Sequence, residues 1–228
     1  HCGSGKKYKK CCLDVDKKID SGRQLHLKGK KAEDFVYELA KKSFLTDWCY
    51  RNPEIPNSKE LCDMLVVYDD IVIIWQIKDL KVEDGKYKES EFKQNTDQIL
   101  TARNRLFGLK LPIELNNPRR GKEIFNPNMI KKVYLISAVL VEETTFFPLV
   151  EEVKGQIVHT FNREFIDILL SELDTIKDFI EYLQDRESLI LSNIKIMLFG
   201  GERELFAYYL MNSHSFKNLE QHSLVIID

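Results

Sequence analysis

The apolar positions of this chain change period as it runs. From Gly29 to Ala40 they recur at Ala32, Phe35, Val36, Leu39 and Ala40, the three-and-four spacing of an amphipathic helix. From Leu61 to Ile77 they become nearly continuous and rich in Val and Ile, broken at the polar pair Asp69-Asp70 and, toward the ends, at Asp63 and Gln76. Such a run predicts two strands joined in a hairpin. Phe92, Ile99, Leu100, Leu106 and Phe107 return to helical spacing and predict a helix of about fifteen residues, after a polar loop from Asp79 to Glu91. Val133 to Val141 and Gln156 to Phe161 read as strands, the first long enough for a sheet centre. Asn162 opens a helix through Leu173, and Thr175 opens another with Asp178 placed for a capping box. Glu202 to Met211 reads as a further helix, and Leu224 to Ile227 as a strand. Trp48 to Lys59, with Pro53 and Pro56, reads as a loop, and Asn117 to Lys122 as a basic turn. Leu13 to about Lys28 is a polar, helical connector. The pattern is that of an α/β fold, a mixed sheet flanked by helices.

The hairpin also places chemistry. With Asp69 and Asp70 as the turn, Tyr68 faces Ile71 and Val67 faces Val72, so the register sets Asp63 across from Gln76. Cross-strand neighbours of this kind stand about 5 Å apart at Cβ. Lys78, two residues beyond Gln76, points to the same side. A carboxylate, an amide and an ammonium inside an apolar hairpin cost stability unless they pair or bind something. Glu33 lies on the border of the first helix's apolar stripe, where it can look into a site, while Asp34 and Glu38 face away. Glu60 lies three residues before Asp63 and is a further candidate contact. Cys62 alternates to the opposite face from Asp63 and is expected in the core; Cys49 carries no partner signal.

Asp63 with Gln76-Ile77-Lys78 resembles the PD-(D/E)XK nuclease superfamily, whose sites join a hairpin Asp to a following Glu/Asp/Gln-x-Lys. The resemblance covers about residues 29–107. It implies a restriction-endonuclease-like fold in which the helix before the hairpin supplies an acid, here Glu33 in Gly29-x-x-x-Glu33. It implies Mg²⁺ held by Asp63 and the Gln76 oxygen, and Glu33, Asp63, Gln76 and Lys78 as the catalytic set. Gln76 stands where a carboxylate is more usual, so the site carries one negative charge fewer. The helix after the lysine strand lies beside the site in such nucleases, which gives Lys93, Gln94 and Gln98 to substrate phosphates. A solvated helix face explains the same three residues equally well.

The first twelve residues, His1-Cys-Gly-Ser-Gly-Lys-Lys-Tyr-Lys-Lys-Cys-Cys12, are similar to the SEC-C zinc motif: Cys-x-Cys, eight residues, then Cys followed by Cys or His. Cys2, Cys11 and Cys12 match, His1 fills the variable position, and the first cysteine is expected just before it. The similarity implies a small structural Zn²⁺ knuckle, and thiolates suit that ion. Lys6, Lys7, Lys9 and Lys10 around Tyr8 suit a nucleic-acid backbone, an acidic protein surface, or plain solvent.

Composition constrains rather than decides. The 228 residues are 43% hydrophobic and 31% charged, and the formal charge of −2 makes no global case for nucleic acid, so any basic face is local. No apolar run approaches the roughly 18 residues of a membrane span. Five cysteines, three of them in the first twelve residues, point to metal in a reducing, cytoplasmic setting rather than to disulfides. The expected organisation is a knuckle and connector over 1–28 and a nuclease-like α/β domain over 29–228. The expected function is Mg²⁺-dependent hydrolysis of nucleic-acid phosphodiesters, with DNA favoured, in bacterial defence or mobile-element biology. The alternative is an inactive nuclease fold whose knuckle docks nucleic acid or a protein.

Overall fold

A computed structural model describes residues 13–56, 60–80, 82–83, 86–109, 111–141, 150–192, 194–198, 201–221 and 224–227. Helix α1 (Leu13–Lys42) is followed by strands β1 (Cys49–Arg51), β2 (Met64–Tyr68) and β3 (Ile71–Asp79) and a two-residue ladder of β4 (Val82–Glu83) with β5 (Lys86–Tyr87). Next come α2 (Glu89–Phe107), β6 (Ile113–Asn117), β7 (Gly121–Phe125), β8 (Lys132–Leu140), β9 (Val150–Val153) and β10 (Gln156–Asn162). The last elements are α3 (Arg163–Glu172), α4 (Ile176–Leu191), β11 (Lys195–Leu198), α5 (Glu202–Met211) and β12 (Leu224–Ile227).

One six-stranded mixed sheet organises the molecule, in the order β1-β2-β3-β8-β10-β9. β2 runs antiparallel to both β1 and β3, β8 runs parallel to both β3 and β10, and β9 closes the sheet antiparallel to β10. The parallel step from β3 to β8 needs a crossover, and α2 lies within it. Side chains alternate between the two faces. Ile73, Trp75, Ile77, Ile136 and Ala138 pack with Val36 and Ala40 of α1, Phe165 of α3 and Phe179 of α4. Val72, Ile74 and Leu135 pack with Ile99 and Leu106 of α2 and with Ile113 and Leu115 of the β6–β7 hairpin. Gln76 follows Ile74 on the α2 side of β3, and this alternation fixes where the candidate chemistry points. Among the described residues no helix is long and apolar enough to cross a membrane.

Several expectations need correction. The connector and the first core helix are one 30-residue helix that passes through Gly29 without a break, across the boundary expected at 28/29. The segment read as a loop after Trp48 contains the edge strand β1, paired with β2 from Cys49↔Val66 to Arg51↔Met64. The segment from Asp79 holds the end of β3, the β4–β5 ladder and the first turn of α2, which is 19 residues long rather than about fifteen. The later caps follow the sequence closely. Asn162 accepts from the Phe165 N–H, and Thr175 and Asp178 form the reciprocal box.

The second half also holds a buried polar network. Arg186 on α4, fully buried, donates through Nε and Nη2 to the two oxygens of Glu202 on α5, at 2.6 and 2.9 Å. Tyr182 donates to the same carboxylate at 2.7 Å. His159 on β10 takes Arg186 Nη1 at its Nδ1, leaving Nε2–H to face Glu187, which also receives Lys132. Burial drives the His159 pKa down to about 4, so the ring is neutral at pH 7. A buried carboxylate must keep its donors. Tyr182→Phe is therefore expected to lower unfolding free energy by about 1.5–2 kcal/mol in urea denaturation, with an unchanged m-value.

Candidate active site

Asp63 sits one residue before β2. The β2–β3 ladder runs from Tyr68↔Ile71 through Val67↔Val72 to Met64↔Trp75, and its next step sets Asp63 beside Gln76. Gln76 Nε2 donates to Asp63 Oδ2 at 2.7 Å, and the Ile77 N–H donates to the same oxygen. Asp63 is buried, with 8% of its surface exposed. Its pKa is pushed up to about 7: burial is the main cause, the Ile77 N–H opposes it, and the charges of Glu33 and Glu60 add to the rise. Glu60 shares a hydrogen bond with Asp63, and burial together with the Glu33 charge raises its pKa too. Three carboxylates, Glu33 from α1 and Glu60 and Asp63 from the stretch leading into β2, thus feel one another at the end of the hairpin. Glu33 on α1 takes a long hydrogen bond, 3.4 Å, from Asn52 Nδ2. Asn52 holds a left-handed φ of 45° and ties its own N–H to the Asp63 carbonyl at 3.0 Å.

The first turns of α2 bring the second group of residues. Asn95, 1% exposed, donates to Ser137 Oγ on β8 at 2.8 Å and to the Gln76 carbonyl at 3.3 Å. It clamps the helix onto adjacent strands, since Gln76 and Ser137 are register partners. The polar face of α2 then forms one wall of a cleft of about 650 Å³. Lys93, Gln94 and Gln98 line that wall, and Glu60, Asp63 and Gln76 line the opposite one. Ser90, Asp97, Thr101 and Arg105 share the helix wall with the buried Ala102, and the buried Leu61 and Cys62 belong to the opposite wall. Sequence reasoning missed Asn52, Asn95, Asp97 and Thr101. A helical wheel placed beside Gln94 and Gln98 would have found Thr101. Cys62 is buried and its thiol pKa is raised by burial, in keeping with a core position.

No family model, no curated protein and no solved structure matches this chain.

Two expected residues stand apart from the wall of the cleft. Lys78 shares Gln76's face by alternation and is half-buried, and among the described residues it makes no ion pair or side-chain hydrogen bond. Glu33 acts on the site through its charge on Asp63 and Glu60. Asp34 is not free but pairs with Arg51, and Glu38 pairs with Lys41. Cys2, Cys11 and Cys12, with His1 and the four lysines beside Tyr8, lie outside the described residues. Among the described residues no three Asp, Glu, His or Cys side chains are gathered closely enough to hold a metal ion. The donor types nonetheless suit a hard divalent ion: two or three carboxylates and an amide oxygen. Gln76 presents its NH₂ to Asp63 in this arrangement, so its oxygen would face a shared cation only after the amide turns over.

Proposed function

We propose that this chain is a metal-dependent nuclease that hydrolyses a nucleic-acid phosphodiester, with DNA as the favoured substrate. The observation that carries the reading is the single cleft joining Asp63, Glu60 and Gln76 to the Lys93, Gln94, Gln98 and Arg105 side of α2. The order of parts supports it: an acid-bearing helix, a hairpin with Asp63 and Gln76-x-Lys78, then a helix beside them. So does the raised Asp63 pKa, caused mainly by burial and added to by the charges of Glu33 and Glu60, which a cation would offset. Asp63, aided by Glu60, Glu33 and the Gln76 oxygen, would hold the ion. Bound there, Mg²⁺ would polarise the phosphate and acidify an attacking water. Lys78 stabilises developing negative charge or orients that water. Lys93, Gln94 and Arg105 hold the strand across the cleft. The N-terminal cysteines belong to the same proposal as a structural zinc knuckle.

A second reading has its own support. The Gln76 amide and the Ile77 N–H already satisfy one oxygen of Asp63, as they would in an inactive fold that only binds its partner. Plasmid DNA and an RNA transcript, each incubated with the chain in Mg²⁺ and in EDTA, separate the two. The nuclease reading expects Mg²⁺-dependent cutting that Asp63→Ala removes. Gln76→Glu supplies the charge that the site lacks and is expected to tighten Mg²⁺ binding about tenfold by calorimetry. Absence of Mg²⁺ binding and cutting in the wild type, with a Gln76→Glu variant that is merely less stable, would leave the binding module standing.

A further inference from the structure

Lys93, Asp97, Thr101 and Arg105 form a column at four-residue spacing along the cleft wall of α2, with Gln94 and Gln98 beside it. A rise of about 1.5 Å per residue puts Lys93 and Arg105 about 18 Å apart along the axis. The ends of the column are cations, and its middle is a carboxylate, a hydroxyl and amides. Among the described residues none of the side chains of Lys93, Gln94, Asp97, Gln98 and Arg105 makes a hydrogen bond or an ion pair. The Thr101 hydroxyl is taken up by the Asp97 main-chain oxygen at 2.8 Å, so it leaves the Asp97 carboxylate unengaged. A cleft built only to grip phosphates has no use for that carboxylate, since Glu60 and Asp63 already make its other wall negative. A carboxylate does suit one part of a nucleic acid, the exocyclic amino group of a base, and a neighbouring glutamine offers a donor and an acceptor at once.

We propose that α2 reads bases: Lys93 and Arg105 hold the backbone at the two ends of the cleft, and Asp97 with Gln98 selects an unpaired base carrying an exocyclic amino group over thymine. This inference rests on the nuclease reading and names its substrate more closely, as a single-stranded segment containing adenine, cytosine or guanine rather than thymine at the cleft.

Fluorescein-labelled dA, dC and dT 12-mers, bound in Ca²⁺ and followed by anisotropy, test it. The wild type is expected to bind the dA and dC strands at least about fivefold more tightly than dT. Asp97→Ala is expected to change the ratio through opposite effects. Loss of a repulsive charge tightens dT, loss of the base contact leaves dA and dC no tighter, and the preference falls to about one. Arg105→Ala is expected to weaken all three alike and to lower the slope of log K against log salt by about one contact. A helix that only supports the fold would shift all three affinities together in both variants. Equal affinities in the wild type, or a preference that survives Asp97→Ala, overturns the base-reading role and leaves the nuclease reading intact. Failure of the wild type to bind any of the strands overturns the base-reading role, and the nuclease reading falls with it only if the Mg²⁺-dependent cutting of plasmid DNA and RNA is absent as well.

Discussion

Asp63→Asn should stabilise the metal-free protein at pH 8 by on the order of 3–4 kcal/mol and leave it almost unchanged near pH 4. An ordinary Asp loses its proton near 3.8, and in this fold Asp63 keeps it to about 7. Between those values the folded chain holds a proton that the unfolded chain has lost, so stability falls as pH rises through the window. The penalty is complete above pH 7 and absent below about pH 4. Asparagine mimics the protonated acid and still accepts from the Ile77 N–H, so it escapes the penalty. His159, held near 4 in the fold, has the opposite slope between pH 6.5 and 4, but it is present in both proteins and cancels in the difference. Urea denaturation of both proteins in EDTA at half-unit pH steps measures the gap. A gap that stays flat from pH 4 to pH 8 would show that burial and its charged neighbours do not hold the Asp63 proton as described. Saturating Mg²⁺ at pH 8 should narrow the gap from the wild-type side if the ion sits among them, because a ligand that binds only the folded state stabilises it.

Lys78→Met should lower Mg²⁺-dependent cleavage by about two to three orders of magnitude, the loss that follows removal of one charge-stabilising donor. Methionine keeps the length and the apolar stem. Among the described residues Lys78 has no ion pair or side-chain hydrogen bond to lose, so the melting temperature should move little. The effect should appear in kcat more than in KM, since the developing charge is a feature of the transition state. Cleavage that survives the change with a lowered melting temperature would return Lys78 to a purely structural role. Its half-buried position on Gln76's face is what separates Lys78 from the exposed Lys93 of α2.

The Asp63–Gln76 pairing was legible because it depends on very little. A two-residue turn and strict alternation fix the register of a hairpin, so one correct turn places every residue along both strands. Helix caps were legible for a similar reason: Asn162, Thr175 and Asp178 act within one turn of themselves. Edge strands were not. β1 has only Cys49, Tyr50 and Arg51, and its extended form depends on the neighbouring strand β2. β6 did carry a signal, with Ile113 and Leu115 buried and Glu114 and Asn116 exposed between them, but five residues beside Pro112 give little contrast.

By itself the sequence determined the periods, the hairpin register, the caps and the succession of an acid-bearing helix, a hairpin and a polar helix. All of these follow from interactions within a few residues. Only the tertiary structure decided which polar faces meet. Asn95 looks like any helix polar residue until Ser137, 42 positions away, and the Gln76 carbonyl come to lie under it. Glu33, Glu60 and Asp63 repel one another because α1 passes the stretch that leads into the hairpin, and only there does burial move an ordinary aspartate toward neutrality. The His159–Arg186–Glu202 network left no trace in the sequence, since charges bury together only when partners from distant elements arrive at the same point.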